Sequence, residues 1–401
     1  MTAALEGVRV ADFSHLIAGP YCTMILADMG AEVIKIEPPK GDATRGYTPP
    51  DLAGESPTFL SMNRNKQGVV LDLAHEEGRQ VARDIVARSD VLMENFATGV
   101  MQRLGLDYET LSKSNSRLIY CSISAFGRSG RFADRAGYDP VIQAESGLMY
   151  LNGFPDGEPH KTAVAMIDVS TGMYATQAIL AALYARVTTG RGQFIDVPLF
   201  DNAASFASYI TMNYLVSGVN PQRLGNNSPV VVPSDVFDAQ DGKFYMTVAG
   251  DNVWNKLVKE MGDPPELQSA DYAINSARMH NQRKLKPILQ RLFAQAPLAQ
   301  WMKKLRAAGV PAGPIRSIAE AVDSPEMKER GIIGTAPHTG AGTVPNVRLP
   351  IAMSGTPLIA PRGAPLLGEH THSVLTGLLG YKPERIAELE KKAVIMPKRN
   401  G

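Results

Sequence analysis

The residue best placed to do chemistry is Asp168, which stands directly before an apolar-periodic stretch, Val169 to Val187, with Ser170 and Thr171 beside it. An aspartate there reads as the N-cap of a helix, whose free N–H groups favour an ionised carboxylate. An ionised carboxylate at a helix end can also act as a nucleophile. Taken alone, the position is an ordinary helix cap. A second candidate is the loop Ser14-His15-Leu16-Ile17-Ala18-Gly19-Pro20, between a strand ending at Phe13 and the next helix. Such a loop presents backbone N–H groups and a helix N-terminus to a ligand, or is only a tight strand-to-helix turn. His370-Thr371-His372 brings two imidazoles together, but the plainer reading is polar residues in a surface loop. Cys and His do not fall at structural-zinc spacing, so no metal site is expected.

Other signatures are missing. The chain has no Gly-x-Gly-x-x-Gly after its first strand, no Walker-type phosphate loop and no Gly-x-Ser-x-Gly elbow. Lys+Arg total 41 against 40 Asp+Glu, a formal charge of +1, so nothing global draws the protein onto nucleic acid or an anionic membrane. Cys22 and Cys121 lie in apolar stretches and read as buried free thiols, which fits a reducing cytoplasm. The N-terminus lacks a basic segment followed by an apolar one, so no leader is expected. The uncharged run from Asn202 to Gln222 contains Asn, Ser, Thr, Gly and Pro and reads as a helix and loop rather than a membrane span.

The elements that must position Asp168 follow from periodicity. Val8 to Phe13 is β-rich, Pro20 to Met29 reads as a helix with Gly30 at its C′ position, and Glu32 to Glu37 alternates as a strand. Strand signals recur at Val69 to Leu73, Val91 to Phe96, Leu118 to Ser124 and Gln193 to Val197, with helices at Glu76 to Ala87, Val169 to Val187 and Asn202 to Leu215. Repeated strand–helix units predict a large Rossmann-like, doubly wound α/β domain with its ligand site at the carboxyl ends of the strands. A chain of 401 residues exceeds the usual single core. The Gly, Asn, Pro and Ser between Ser217 and Pro233 mark a boundary. Beyond it, Asp241-Gly242 signals a hairpin between Val236-Phe237 and Phe244 to Val248, then come mainly helical segments from Asn252 to about Ala308 and a breaker-rich loop, Gly309 to Pro314. Short apolar strands are expected between Gly334 and Gly368.

Taken in order, a set of short motifs resembles the family III CoA-transferases (the CaiB/BaiF family) along nearly the whole chain. The motifs include Gly30-Ala31-Glu32-Val33-Ile34-Lys35-Ile36-Glu37, Asn63-Arg64-Asn65-Lys66, Glu94-Asn95-Phe96, Gly137-Tyr138-Asp139, Asp168-x-x-x-Gly172-Met173, Gly190-Arg191-Gly192-Gln193 and Leu367-Gly368-Glu369-His370-Thr371. The resemblance implies that Asp168 is the nucleophile. CoA would pass from an acyl-CoA donor to a small carboxylic, possibly dicarboxylic, acid through aspartyl-anhydride and aspartyl-CoA thioester intermediates, with oxyanions held by backbone N–H groups of glycine loops. No permanent cofactor is implied; CoA is substrate. It also implies CoA contacts at His15, Ala18, Leu71, Asn95, Phe96 and Arg103 and a substrate pocket at Ile17, Tyr138 and Asp139; departures from the family pattern leave part of the phosphate contact unassigned, with Lys40, Arg45 and Arg135 as candidates. It implies an interlocked homodimer whose large domain is residues 1–222 and 331–401, with 223–330 as a smaller α+β domain.

Two alternatives stand beside this reading. Racemases of the same fold carry a histidine where this chain has Tyr138, and a tyrosine, with an ordinary pKa near 10, is a poor base at neutral pH. A non-catalytic CoA-binding protein would require Asp168 to be replaced. Ile17 and Pro38 stand where formyl-CoA transferase has Gln and a basic residue, and Ala249-Gly250-Asp251 lacks its glycine run, which argues against oxalate as acceptor.

Overall fold

The computed structural model describes residues 2–396. Six strands form one parallel sheet: β1 (Arg9–Asp12), β2 (Glu32–Glu37), β3 (Lys66–Val70), β4 (Val91–Glu94), β5 (Ile119–Ser124) and β6 (Phe194–Pro198), in the order β3-β2-β1-β4-β5-β6. Alternate residues of the four central strands, β2, β1, β4 and β5, enter different cores, as a two-residue side-chain period requires. Ala11, Ile34, Leu92 and Tyr120 pack with Val81 and Ile85 of helix α2 (Glu76–Ala87). Val10, Val33, Val91 and Ile119 pack with Cys22 and Leu26 of helix α1 (Ala18–Asp28) and Ala175 and Ile179 of a long helix (Met166–Thr189). Both faces are covered, which is why the strands read as apolar runs. The strand order reverses between β1 and β4, and a crevice opens beyond their carboxyl ends at such a switch point.

The chain divides into two compact units. One comprises Met1–Leu148, Thr162–Leu215 and Lys328–Gly401, the other Met149–Lys161 and Val216–Met327. The expected boundaries at 222/223 and 330/331 fall a few residues later, and the 149–161 segment goes with the smaller unit. That unit holds an antiparallel sheet of β7 (Ser234–Asp238), β8 (Lys243–Thr247) and β9 (Ala312–Pro314), with the Asp241-Gly242 turn joining the first pair. Its core is aromatic, with Phe244 stacked edge-on against Phe293 at 4.9 Å. A hairpin of β10 (Ile333–His338) and β11 (Gly342–Val347) belongs to the larger unit.

Four expectations need correction. β3 begins earlier than Val69, because Lys66 is a buried strand residue whose charge hides the start of the run. The helix expected over Asn202 to Leu215 is two helices, Leu199–Phe206 and Ser208–Ser217, broken at Ala207. The breaker-rich loop contains β9. The long helix begins at Met166 rather than after Asp168, with Asp139 accepting from its first-turn N–H groups. Both cysteines are free and buried, and among the described residues no helix is long and apolar enough to cross a membrane.

The crossing of α1 with the long helix is backbone-close. A Cβ added to Gly172 would lie 2.6 Å from the Ala18 carbonyl oxygen, so only glycine fits. Gly172→Ala should therefore lower stability by about 1–3 kcal/mol in thermal or denaturant unfolding, whereas Gly334→Ala, where a Cβ meets nothing within 4 Å, should leave it unchanged.

Candidate active site

The loop after β1 is fixed from beneath by buried charges. Asp12, fully buried at the strand's end, accepts from the Ser14 amide at 3.0 Å, Thr23 Oγ1 at 2.6 Å and Lys66 Nζ at 3.0 Å. Lys66 also donates to the Pro20 carbonyl at 3.0 Å and to Asn63 Oδ1 at 2.8 Å. Lys35 Nζ donates to the Ser14 carbonyl at 2.8 Å and to Asp42 at 3.0 Å. Burial works against the Asp42 charge, but His15, Lys35 and the Thr44 amide outweigh it and hold the carboxyl far below its usual range. Each charge thus has an opposite partner, the condition under which burial of ions is tolerated. The loop so held carries Leu16 at φ +66°, a left-handed conformation that costs a bulky residue on the order of 1–3 kcal/mol.

A cavity of about 190 Å³ opens at the switch point, lined among others by Ile17, Ala18, Asn95, Phe96, Arg135, Tyr138 and Asp168. The Asn95 amide pins the rim, accepting from the His15 N–H and donating to the His15 carbonyl, both at 2.8 Å. The His15 ring lies 5.4 Å from that of Phe96. Arg128, which the sequence reading passed over, also lines the cavity. Its guanidinium is fully engaged with Glu94, Ser122 Oγ, Thr98 Oγ1 and the Phe96 and Ile123 carbonyls. The signal for it was a basic residue in a Gly-x-x-Gly turn just after a strand.

Asp168 is not the N-cap. The cap position is Ala165, which offers no side chain to the helix, and Asp168 lies in the first turn. The capping group comes from a distance: Asp139 Oδ2 accepts from the Ile167 N–H at 2.7 Å and the Asp168 N–H at 3.1 Å. Asp139 is itself buried in the first turn of a short helix (Asp139–Glu145), and its Oδ1 accepts from Gln143 Nε2 at 2.6 Å. Gln143 is fixed in turn by the Thr162 N–H, which donates to its Oε1 at 3.0 Å. The helix-end donors therefore hold Asp139, not Asp168. Burial, and then the Asp139 charge, push the Asp168 carboxyl up to about 7.

The other expected residues divide. Ile17, Ala18 at the start of α1, Asn95, Phe96 and Tyr138 line the cavity, whereas His15 lies in the loop beside it and does not. Asp139 does not line it; it acts through the helix behind. Leu71 is fully buried in the core with Val69 and Ile36. Arg45 makes a two-point ion pair with Glu37 (both contacts 2.8 Å), donates to the Pro365 carbonyl and covers the Phe59 ring, so its fork is engaged within the fold. Lys40 and Arg103 are exposed and do not line the cavity. Among the described residues, no group of His, Cys, Asp and Glu is arranged to hold a metal ion.

A carboxyl whose folded pKa lies above its ordinary value favours the fold when neutral. That contribution is complete below the unfolded value near 3.8 and is lost as pH rises through about 7. Asp168→Asn should accordingly match the wild type in stability near pH 4 and exceed it by up to a few kcal/mol at pH 8, read as the difference in Tm across that range. A constant difference at all pH values would contradict the burial of a charge at this site.

The family model described as CoA-transferase family III matches residues 5–371. The chain is 36% identical over 393 residues to human succinyl-CoA:glutarate CoA-transferase, covering 98% of this chain and 90% of that one. It is 40% identical over 330 residues to acetyl-CoA:oxalate CoA-transferase of Acetobacter aceti, covering 82% and 85%. The crystal structure of a CaiB/BaiF family protein from Brucella suis superposes with a TM-score of 0.86 at 38% identity, over 94% of this chain and 100% of that one. With a match of that extent around a cavity of this composition, the chain belongs to CoA-transferase family III.

Proposed function

We propose that the protein moves CoA from an acyl-CoA donor to a small dicarboxylic acid through covalent intermediates on Asp168. The observation that carries this reading is the environment of Asp168: a carboxyl in the switch-point cavity, partly buried, without the helix-end donors that would quiet it, and raised to about 7. A carboxylate so placed is more basic than an ordinary one and correspondingly more nucleophilic, while still half ionised near neutral pH. Acylation makes it neutral and relieves its repulsion with Asp139.

The steps balance without proton transfer. The Asp168 carboxylate attacks the thioester carbonyl, the C–S bond breaks, and a mixed anhydride and CoA thiolate result. The thiolate attacks the aspartyl carbonyl, forming the aspartyl-CoA thioester and releasing the donor acid as carboxylate. The acceptor carboxylate attacks that thioester carbonyl and again displaces the thiolate. The thiolate then attacks the acceptor carbonyl, leaving a new acyl-CoA and a free Asp168. Water must be kept out, since either intermediate would hydrolyse.

His15, Ala18, Asn95 and Phe96 are the proposed walls for the pantetheine arm, and exposed Lys40 and Arg103 the proposed phosphate contacts. Leu71, buried in the core, and Arg45, paired with Glu37, are not included in this proposal. Glutarate and oxalate in the relatives' names support a dicarboxylic acceptor, and the oxalate enzyme keeps a short diacid among the candidates despite Ile17 and Pro38. A homodimer is supported by the helix Ser208–Ser217, which buries none of its residues and exposes Tyr209, Met212, Tyr214 and Leu215; apolar area of this kind marks an interface. The free thiols accord with a reducing compartment such as the cytoplasm.

A chromatographic screen of acyl-CoA donors against acids should show CoA exchange with small diacids, abolished in Asp168→Asn. Deuterium exchange at the α-carbon without any acceptor acid would favour a racemase instead. For the active pair, kcat/KM for the donor should fall about tenfold per pH unit below about 7, because the nucleophile must be ionised. Asp139→Asn should move that limb to lower pH. A profile flat down to pH 5 would contradict the role given to Asp168.

A further inference from the structure

We propose that Arg135 is the residue that reads the second carboxylate of the acceptor. The inference rests on the transferase reading of the cavity and adds its specificity. A diacid brings two charges to a site already lined by Asp134 and Asp168. While one carboxylate attacks the aspartyl thioester, the other is brought beside these charges and sheds part of its water, a cost that a cation offsets even where, as at the half-exposed Arg135, burial is incomplete. It needs a cation inside the same cavity.

Two arginines line that cavity. Arg128 has no capacity left, since all its guanidinium nitrogens are engaged with Glu94, Ser122, Thr98 and two backbone carbonyls. Arg135 is different. Its guanidinium lies over the Phe126 ring at 4.7 Å, a stack that fixes its plane. Its one side-chain hydrogen bond among the described residues runs from Nη2 to the partly exposed Glu145. Nε and Nη1 keep their N–H groups for a carboxylate, in the fork geometry that suits two-point binding. The Glu145 contact is then a placeholder: one carboxylate holds the guanidinium until the substrate's replaces it.

A CoA phosphate is the competing ligand for the same guanidinium. Phosphate and thioester are separated by the whole pantetheine arm, and Arg135 lines the same small cavity as the nucleophile. That position favours the acid over the nucleotide end.

The test compares acids that differ only in the second carboxylate, succinate with butyrate and glutarate with pentanoate. In Arg135→Gln, kcat/KM for the diacids should fall about 10- to 100-fold, the monoacids should change little, and the donor's KM and the acceptor-free release of the donor acid should stay as in the wild type. Arg135→Lys should recover part of the loss, and Glu145→Gln, which frees the guanidinium, should lower KM for the diacids. Equal losses for monoacid and diacid, or a rise confined to the donor's KM, would overturn the assignment of Arg135 alone. A wild-type enzyme that moves CoA to no acid would overturn the transferase reading together with it.

Discussion

One carboxylate organises the site: Asp139, whose Oδ2 takes the two N–H groups that open the Met166–Thr189 helix. Without it the first turn would leave buried amide donors unsatisfied. With it, no hydrogen-bond donor among the described residues is engaged by the Asp168 carboxyl in the same turn. The helix dipole still favours its anion, but burial and the Asp139 charge prevail, and the carboxyl stands near 7. Swapping the two roles would give an inert cap. Stability and reactivity are thus set by one assignment of hydrogen bonds, held in place by Gln143 and Thr162 behind it.

The opposite wall depends on charges of a different kind. Asp12, Lys35, Asp42 and Lys66 form neutral pairs under the β1–α1 loop. Such pairs add little net stability, yet removing one partner strands the other. They fix the Ser14 and Pro20 carbonyls and so hold a strained Leu16 at the cavity rim. The same loop leads into α1, which meets the Asp168 helix at Gly172 without an intervening side chain. The pairs, the glycine crossing and the Asp139 cap together determine where the nucleophile lies relative to the cavity walls.

Much of this architecture was legible in the residues. The alternation at Glu32 to Glu37 and the 3.6-residue period at Glu76 to Ala87 match the strand and helix found there, because both elements bury one clear pattern. The site was legible only in part. Asp168 stood out as a helix-end carboxylate, but the residue that caps the helix lies 29 positions earlier, and no local pattern connects Asp139 to it. Lys66 fell outside the strand read from Val69 to Leu73, since burial of a lysine depends on Asp12, far along the chain. Leu71 was drawn into the CoA site by resemblance and Arg45 as a basic residue for an unassigned phosphate contact, whereas the structure shows Leu71 packed in the core and Arg45 paired with Glu37. In each case the deciding contact is between residues distant in sequence.

The central claim is that Asp168 itself carries the transferred group. The most direct measurement is peptide mass spectrometry of the enzyme mixed with an acyl-CoA alone and quenched with hydroxylamine. An activated aspartyl carbonyl should be captured as a hydroxamate on Asp168, with none formed when the acyl-CoA is omitted or in Asp168→Asn. Acyl-CoA turnover with no modification of Asp168, or with the hydroxamate on another carboxylate, would contradict the account.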